Sequence, residues 1–342
     1  MSSVSAWFRR SWDGQDGPLG QLVLGLFLPV EAVYRGAVFL RNQCYDLGIL
    51  PESESGIPVI SVGNLTVGGT GKTPIASWLI THLITMGHRP ALVTRGYGSD
   101  EVLLYGVRNP GVPVVVRKSK IKGVAQAARE GATVAILDDG FQHRAARRDV
   151  DIVLLAAEQG AEGPFLPRGR FREPLSALSR ADAIVITRKV ATRDEVSAVG
   201  RLALARVPEA ALGQIHLEGD VWTELGSDLP HETSAGPPRG DLLAVCGIAE
   251  PDGFHDLVRS KARGVVECMA FPDHHPFSCR DAHRIMERAG NRPVVITEKD
   301  AVKLRTFSKE MPKTYVLRLR VVWDSGQDAV MELIRRALDT SP

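Results

Sequence analysis

The sequence has little of several things that would fix its class at once. Only four of its 342 residues are cysteine: Cys44, Cys246, Cys268 and Cys279. None forms a C-x-x-C pair and none has zinc-ligand spacing, so they read as reduced thiols in a cytosolic chain. Charge of one sign is also missing. The 42 Lys and Arg nearly balance 40 Asp and Glu, for a formal net charge of +2, which gives no reason to expect nucleic acid. No internal repeat or long low-complexity tract is present. No apolar run is long enough to cross a bilayer, because Glu31 and Arg35 interrupt the run that starts at Leu19. Arg9-Arg10 ahead of it imitates a signal peptide. Asp13 and Asp16 intervene, however, and no small-residue cleavage site follows. The hydrophobic share of 44% and charged share of 24% are those of a globular protein, and the length suggests about two domains.

What is present near the N-terminus is apolar surface. Leu19, Leu22, Leu24, Leu26, Phe27, Val33, Phe39 and Leu40 supply it, while Arg35 and Arg41 could meet anionic headgroups. Pro29 would kink or divide a helix there. An interfacial segment and a helix packed on the following domain are equally compatible with this composition.

The most informative stretch is Thr66-Val67-Gly68-Gly69-Thr70-Gly71-Lys72-Thr73. An apolar strand-like run over 58–62 precedes it and a helix-like segment over 74–84 follows. Strand, Gly-rich loop, helix is the context a phosphate-binding P-loop requires. Backbone N–H groups of such a loop and the helix N-terminus cradle a polyphosphate. Lys72 would reach the β- and γ-phosphates and the Thr73 hydroxyl would ligate Mg²⁺. The usual first glycine is Thr66 here; Gly68, Gly69 and Gly71 keep the loop permissive. The chain therefore binds a nucleoside triphosphate on this reading.

Continuous apolar strands alternate with helices from residue 57 to about 205, the pattern of a parallel sheet covered on both faces. A more exposed strand over 214–225 and a polar, Pro/Gly-rich stretch over 226–240 follow. A second strand–helix series then runs to about 297, with another exposed strand over 315–322 and a terminal helix. The expected organisation is an N-terminal membrane-associating helical segment (1–50), a P-loop kinase domain (51–213) and a linker strand and loop (214–240). A second α/β domain (241–313), then a return strand and C-terminal helix (314–342), complete it. The fold class is α/β: a P-loop NTPase-like parallel-sheet lobe with a second, smaller α/β lobe and a two-stranded β linker.

Chemistry belongs beyond the carboxyl ends of the strands. Asp138-Asp139 ends the buried strand Val134-Ala135-Ile136-Leu137, the Walker-B position for a carboxylate that holds Mg²⁺. Asp100-Glu101 follows Arg95-Gly96-Tyr97-Gly98-Ser99, where a carboxylate could serve an acceptor hydroxyl, although an exposed acidic pair taken alone is more often a solvated loop. Phe271-Pro272-Asp273-His274-His275 closes a second-lobe strand, and a His there could pair with a carboxylate. No further His or Cys has sequence-local metal spacing, which argues against zinc. Thr297-Glu298-Lys299-Asp300 superficially matches the guanine-reading motif of GTPases, but its spacing is wrong. Arg117-Lys118-Ser119-Lys120-Ile121-Lys122 reads as a solvated face or a grip on an anionic substrate.

These segments together resemble the tetraacyldisaccharide 4′-kinases of lipid A biosynthesis. The resemblance rests on Val62 to Pro74, Arg95-Gly96-Tyr97-Gly98, Leu137-Asp138-Asp139-Gly140-Phe141-Gln142-His143-Arg144 and Arg172-Glu173-Pro174-Leu175-Ser176-Ala177-Leu178. The second lobe adds Gly247-Ile248-Ala249-Glu250-Pro251, Phe271-Pro272-Asp273-His274 and Thr297 to Lys303. They occur in family order over roughly residues 20 to 323. The resemblance implies transfer of the γ-phosphate of ATP, with Mg²⁺, to the 4′-hydroxyl of a tetraacylated glucosamine disaccharide 1-phosphate, giving lipid IVA. It implies peripheral attachment to the cytoplasmic face of a bacterial inner membrane. It makes Asp100 the base and His274 its partner, with Lys72 stabilising the transferring phosphoryl group. Thr73, Asp138, Asp139 and Glu101 are the implied magnesium ligands. Asp100 follows Gly98 by two residues, a shorter spacing than the family pattern, and Lys120 is the candidate for a basic residue near the third strand. A membrane-associated P-loop nucleotide switch and a soluble small-molecule kinase are the alternatives.

Overall fold

The computed structural model describes residues 3–96, 99–226, 236–249 and 251–340. Tyr97 and Gly98, Glu250 and most of the 226–240 linker lie outside the described residues. The chain divides into two compact units. The larger comprises Ser3–Gly96, Gly111–Leu217 and Val321–Pro342; the smaller comprises Tyr97–Pro110 and Glu218–Arg320.

The larger unit opens with three helices, α1 (Ser3–Trp12), α2 (Gly17–Gly25) and α3 (Leu28–Asp46). Pro29 is the second residue of α3, where its missing N–H is not needed, and α2 and α3 meet at a 55° bend. Next come β1 (Val59–Asn64), α4 (Lys72–Thr85), β2 (Pro90–Thr94), β3 (Val114–Val116), α6 (Lys120–Arg129), β4 (Val134–Asp138), β5 (Val150–Ala156), β6 (Ala183–Arg188) and α7 (Arg193–Leu204). The strands lie in the order β3-β2-β4-β1-β5-β6, followed by β7 (Ala211–Glu224), and their pairings are parallel. Every residue of β1, β4 and β5 is buried, because helices or packed loops cover both faces. The segment between β5 and β6 is mostly irregular and packs Phe165, Phe171, Leu175 and Leu178 into one of the cores. At the start of α7, Thr192 and Glu195 form a reciprocal capping box that satisfies two otherwise orphaned donors.

The smaller unit contains α5 (Ser99–Arg108), β8 (Leu242–Cys246), α8 (Pro251–Lys261), β9 (Val266–Ala270), α9 (Cys279–Ala289), β10 (Val294–Thr297) and α10 (Glu298–Leu304). Its strands pair in parallel in the order β11-β10-β8-β9, with β11 spanning Thr314–Ser325. The final helix, α11 (Gln327–Thr340), belongs to the larger unit. The chain passes from one unit to the other within β7 and again within β11.

Two differences from the sequence reading matter for the site. The Asp100-Glu101 segment, expected as a loop of the P-loop domain, is the first turn of a helix that belongs to the smaller unit. That helix buries Leu104 and Tyr105 and is locked onto α10 by Glu298, whose largely covered side chain pairs with both Arg108 and Arg318. Lys120 is not part of a solvated basic face. It is buried while Arg117, Lys118 and Lys122 stay exposed, because the start of α6 turns it under the end of β4.

Candidate active site

In the larger unit β1 ends next to β4, with Val62 opposite Asp138. The P-loop and the acidic strand end therefore emerge side by side. Gly68 sits at φ +123° and Gly71 at φ +86°, conformations that L side chains rarely adopt, and Gly71 is the N-cap of α4. Lys72 and Thr73 are the first residues of that helix, so its positive end faces the loop. Side chains fix the loop from below. Asn64 Nδ2 donates to Thr70 Oγ1 at 2.8 Å, Thr187 Oγ1 donates to the Thr70 carbonyl at 3.0 Å, and Thr66 Oγ1 donates to Gln159 Oε1 at 2.7 Å. Gly68 and Gly69 remain exposed above them. A Cβ on Gly69 would lie 3.3 Å from Lys189 Nζ.

Cations crowd this strand end. Lys72 Nζ lies 3.6 Å from Asp139 Oδ1, and Arg172 donates to both Asp139 oxygens at 2.8 Å. Lys120 Nζ donates to the Asp138 carbonyl. Burial lowers the Lys120 ammonium to about 8, with Arg95 and Lys72 pushing the same way against Asp138 and Asp139. Burial would raise the Asp139 carboxyl; the Arg172 hydrogen bond and the charges of Lys72, Arg172 and Lys120 outweigh it and hold the group far below the usual carboxylate range. His143 is lowered to about 4 by burial and by Lys120 and Arg95, so it is neutral at pH 7. Lys72, Lys120 and Arg172 thus converge on this strand end, a concentration of positive charge that suits a polyanionic ligand.

Asp138 and Asp139 thus differ. Asp138 Oδ2 accepts from Thr94 Oγ1 at a long 3.3 Å, and the residue is 8% exposed. A hard cation with oxygen donors fits Asp138 and the Thr73 hydroxyl. At Asp139 each oxygen already accepts one hydrogen bond from Arg172, which leaves it fewer lone pairs for a cation than Asp138 has. Glu101, expected as a further ligand, lies in the smaller unit, where it pairs with Lys299 at 3.6 Å. No group of three or more His, Cys, Asp or Glu capable of holding a metal occurs among the described residues.

The smaller unit holds the second cluster. Asp100 is 5% exposed, and its Oδ2 lies 2.7 Å from His274 Nδ1. Lys303 Nζ stands 3.7 Å from the same oxygen and 3.4 Å from Asp300 Oδ1. Asp300 is fully buried and ties its own Thr297–Lys303 segment to the one that begins at Gly247: its Oδ2 accepts from the Gly247 N–H at 2.9 Å and from Thr297 Oγ1 at 2.6 Å. The His274 N–H donates to the Gly247 carbonyl at 3.1 Å, which fixes the turn that presents the imidazole. Burial would raise the Asp100 carboxyl, but the hydrogen bond and charge of His274 and the charges of Lys303 and Lys299 take it down to about 2. The Asp100 hydrogen bond raises His274 above its ordinary value against the effect of burial. Among the described residues, Asp139 (φ +53°) and His274 (φ +57°) are the non-glycine residues at positive φ, and such strain concentrates at functional positions.

Lys72 and Thr73 open α4 and Asp138 ends β4, where the sequence puts them; Asp139 and His274 lie in the turns that follow β4 and β9, and Asp100, expected in a loop, is in the first turn of α5. The sequence assigns no separate role to Arg172, Asn64, Asp300 or Lys303. Their signal was their presence in the Arg172-Glu173-Pro174, Gly63-Asn64 and Thr297–Lys303 segments.

Comparison with known proteins decides the class. The tetraacyldisaccharide-1-P 4′-kinase family model matches residues 23–339. The chain belongs to that family. As a member, it is a kinase that phosphorylates the 4′ position of a tetraacyldisaccharide 1-phosphate. The kinase is 36% identical to a tetraacyldisaccharide 4′-kinase of Anaeromyxobacter sp. (strain Fw109-5), covering 96% of each chain. It is 34% identical to the enzyme of that name from Chlorobium luteolum, covering 91% of this chain and 96% of the relative. Among solved structures it resembles the "apo" form of LpxK from Aquifex aeolicus in complex with ATP, with TM-score 0.74 and 26% identity over 92% of this chain and 99% of that one.

Proposed function

We propose that the kinase takes the γ-phosphate of ATP and transfers it to the 4′-hydroxyl of the lipid disaccharide, giving lipid IVA, with Asp100 as the base. ATP phosphates lie on the backbone of Thr66–Thr73. Lys72 and the buried Lys120 offset charge as it redistributes on the transferring phosphoryl group. Mg²⁺ would be held by Thr73 and Asp138 and would neutralise the phosphate oxygens. Arg172 holds Asp139, and through it Lys72, in place.

Asp100 accepts the hydroxyl proton. A carboxylate near 2 is ionised at every working pH but is a weak base. That suits a loose phosphoryl-transfer transition state, in which the proton leaves late. His274 orients the carboxylate through its Nδ1 bond and sets its basicity. The Asp100–His274 distance of 2.7 Å is the observation that carries this reading. Label transfer from γ-labelled ATP to the lipid disaccharide in detergent with Mg²⁺ tests it. Free ATP hydrolysis without labelled lipid would contradict it.

The N-terminal helices attach the kinase peripherally to a lipid surface. Leu19 (71% exposed), Leu22, Leu26, Val33 (74%), Phe39 and Leu40 present the apolar face that supports this. Arg41, expected to meet headgroups, instead donates inward to the Gln142 carbonyl at 2.5 Å; Arg35 remains exposed. Among the described residues no single helix is long and apolar enough to cross a membrane, although the bent α2–α3 pair has the length and composition together.

A further inference from the structure

We infer that Arg172 is a positioning residue whose own placement is set by α3, so that seating α3 on a lipid surface tightens the nucleotide site. The inference rests on the lipid-surface reading above. α3 has two unlike faces. One is open and apolar, through Val33, Phe39 and Leu40 and continued by the C-cap Leu47. The other is polar and grips the backbone that carries the nucleotide site. Glu31, 2% exposed, accepts from the Phe165 N–H at 2.8 Å and pairs with Arg168. Tyr34 Oη donates to the Arg172 carbonyl at 3.2 Å, and Asn42 Nδ2 donates to Glu173 Oε2 at 2.9 Å.

The strap from Phe165 to Glu173 continues these contacts into the P-loop. The Val67 N–H donates to the Arg170 carbonyl at 2.8 Å and the Arg172 N–H to the Leu65 carbonyl at 2.7 Å. The Arg172 guanidinium then holds Asp139 and Asn64, and Asn64 holds Thr70. The links from α3 to the phosphate loop are thus hydrogen bonds and ion pairs, the one from Tyr34 to Arg172 being the longest at 3.2 Å. The network is only partly satisfied: Arg172 Nε, Glu173 Oε1, Asn42 Oδ1 and Gln142 Oε1 are buried without a hydrogen-bond partner. Each unpaired buried polar atom costs free energy, so this network lacks the rigidity of a fully satisfied one. Restraining α3 from its apolar side removes that freedom, and a nucleotide bound afterwards orders less.

A fluorescent ATP analogue is titrated onto the full chain with and without vesicles of phosphatidylethanolamine and phosphatidylglycerol, and sedimentation reports vesicle binding. Vesicles are expected to lower the nucleotide Kd about fivefold or more. Tyr34→Phe, Glu31→Gln and Arg172→Lys are each expected to sediment with vesicles yet lose that response. A merely structural role would change unfolding but leave the vesicle response intact, which overturns the inference. So does vesicle-bound wild type with unchanged Kd, and in that case the lipid-surface reading stands. Wild type that fails to sediment overturns the lipid-surface reading and the coupling with it. Where Glu31→Gln does not fold, Tyr34→Phe, which removes one hydroxyl, carries the test.

Discussion

Asp138 and Asp139 are neighbours in sequence with different partners, and a pair of substitutions separates them. Asp138→Asn is expected to raise the Mg²⁺ concentration needed for half-maximal activity. Asp139→Asn releases Arg172 and Lys72 and is expected to lower kcat with Mg²⁺ dependence unchanged. Equal shifts in Mg²⁺ dependence would show that both touch metal. The Asp100–His274 pair makes a prediction in pH. His274 is raised above its ordinary 6.5, so as pH climbs through its folded value the imidazolium loses its charge and Asp100 becomes more basic. The rate, kcat/KM, should rise through that ionisation, and His274→Ala should remove the limb. A limb that survives the substitution belongs to another group.

At the scale of elements, α5 is the least expected part of the site. It stands alone in sequence between Arg-Gly-Tyr-Gly and β3, yet its position is set by α10, and Arg108 meets Glu298 across 190 residues. Glu298→Ala leaves the half-buried Arg108 and Arg318 without their carboxylate, which should cost about 2 kcal/mol in denaturant unfolding, toward the lower end for a covered pair. A loss within the range of a surface pair would mean that packing of Leu104 and Tyr105, not the ion pair, places Asp100. The P-loop and the Asp138 strand end were legible because local order defines them: an apolar run, then glycines or acids, then a helix. The Asp100–His274 pairing entered through family resemblance. The Arg172 fork on Asp139 and the burial of Lys120 were not legible, because both arise only when distant segments pack. The N-terminal composition could not choose between an interfacial and a packed helix; α3 has a face for each.

For the whole molecule, acid stability follows from the depressed carboxyls. Asp100 falls from 3.8 to about 2 in the fold. Its ionised form is therefore favoured there, and its contribution is complete above about pH 3.8 and lost as pH drops toward 2. Asp139 acts in the same direction. The unfolding midpoint should fall steeply below pH 4, and Asp100→Asn should flatten part of that fall; an unaltered slope would mean that other carboxyls control it. The central claim is that a single chain binds ATP at Thr66–Thr73 and uses Asp100 to take the proton of the lipid hydroxyl. The most direct measurement is label transfer from γ-labelled ATP to the tetraacyldisaccharide by wild type and Asp100→Asn, with ATP affinity measured in parallel. The account predicts a loss of transfer of about a hundredfold or more with ATP affinity unchanged. Transfer close to wild type in that variant would contradict it.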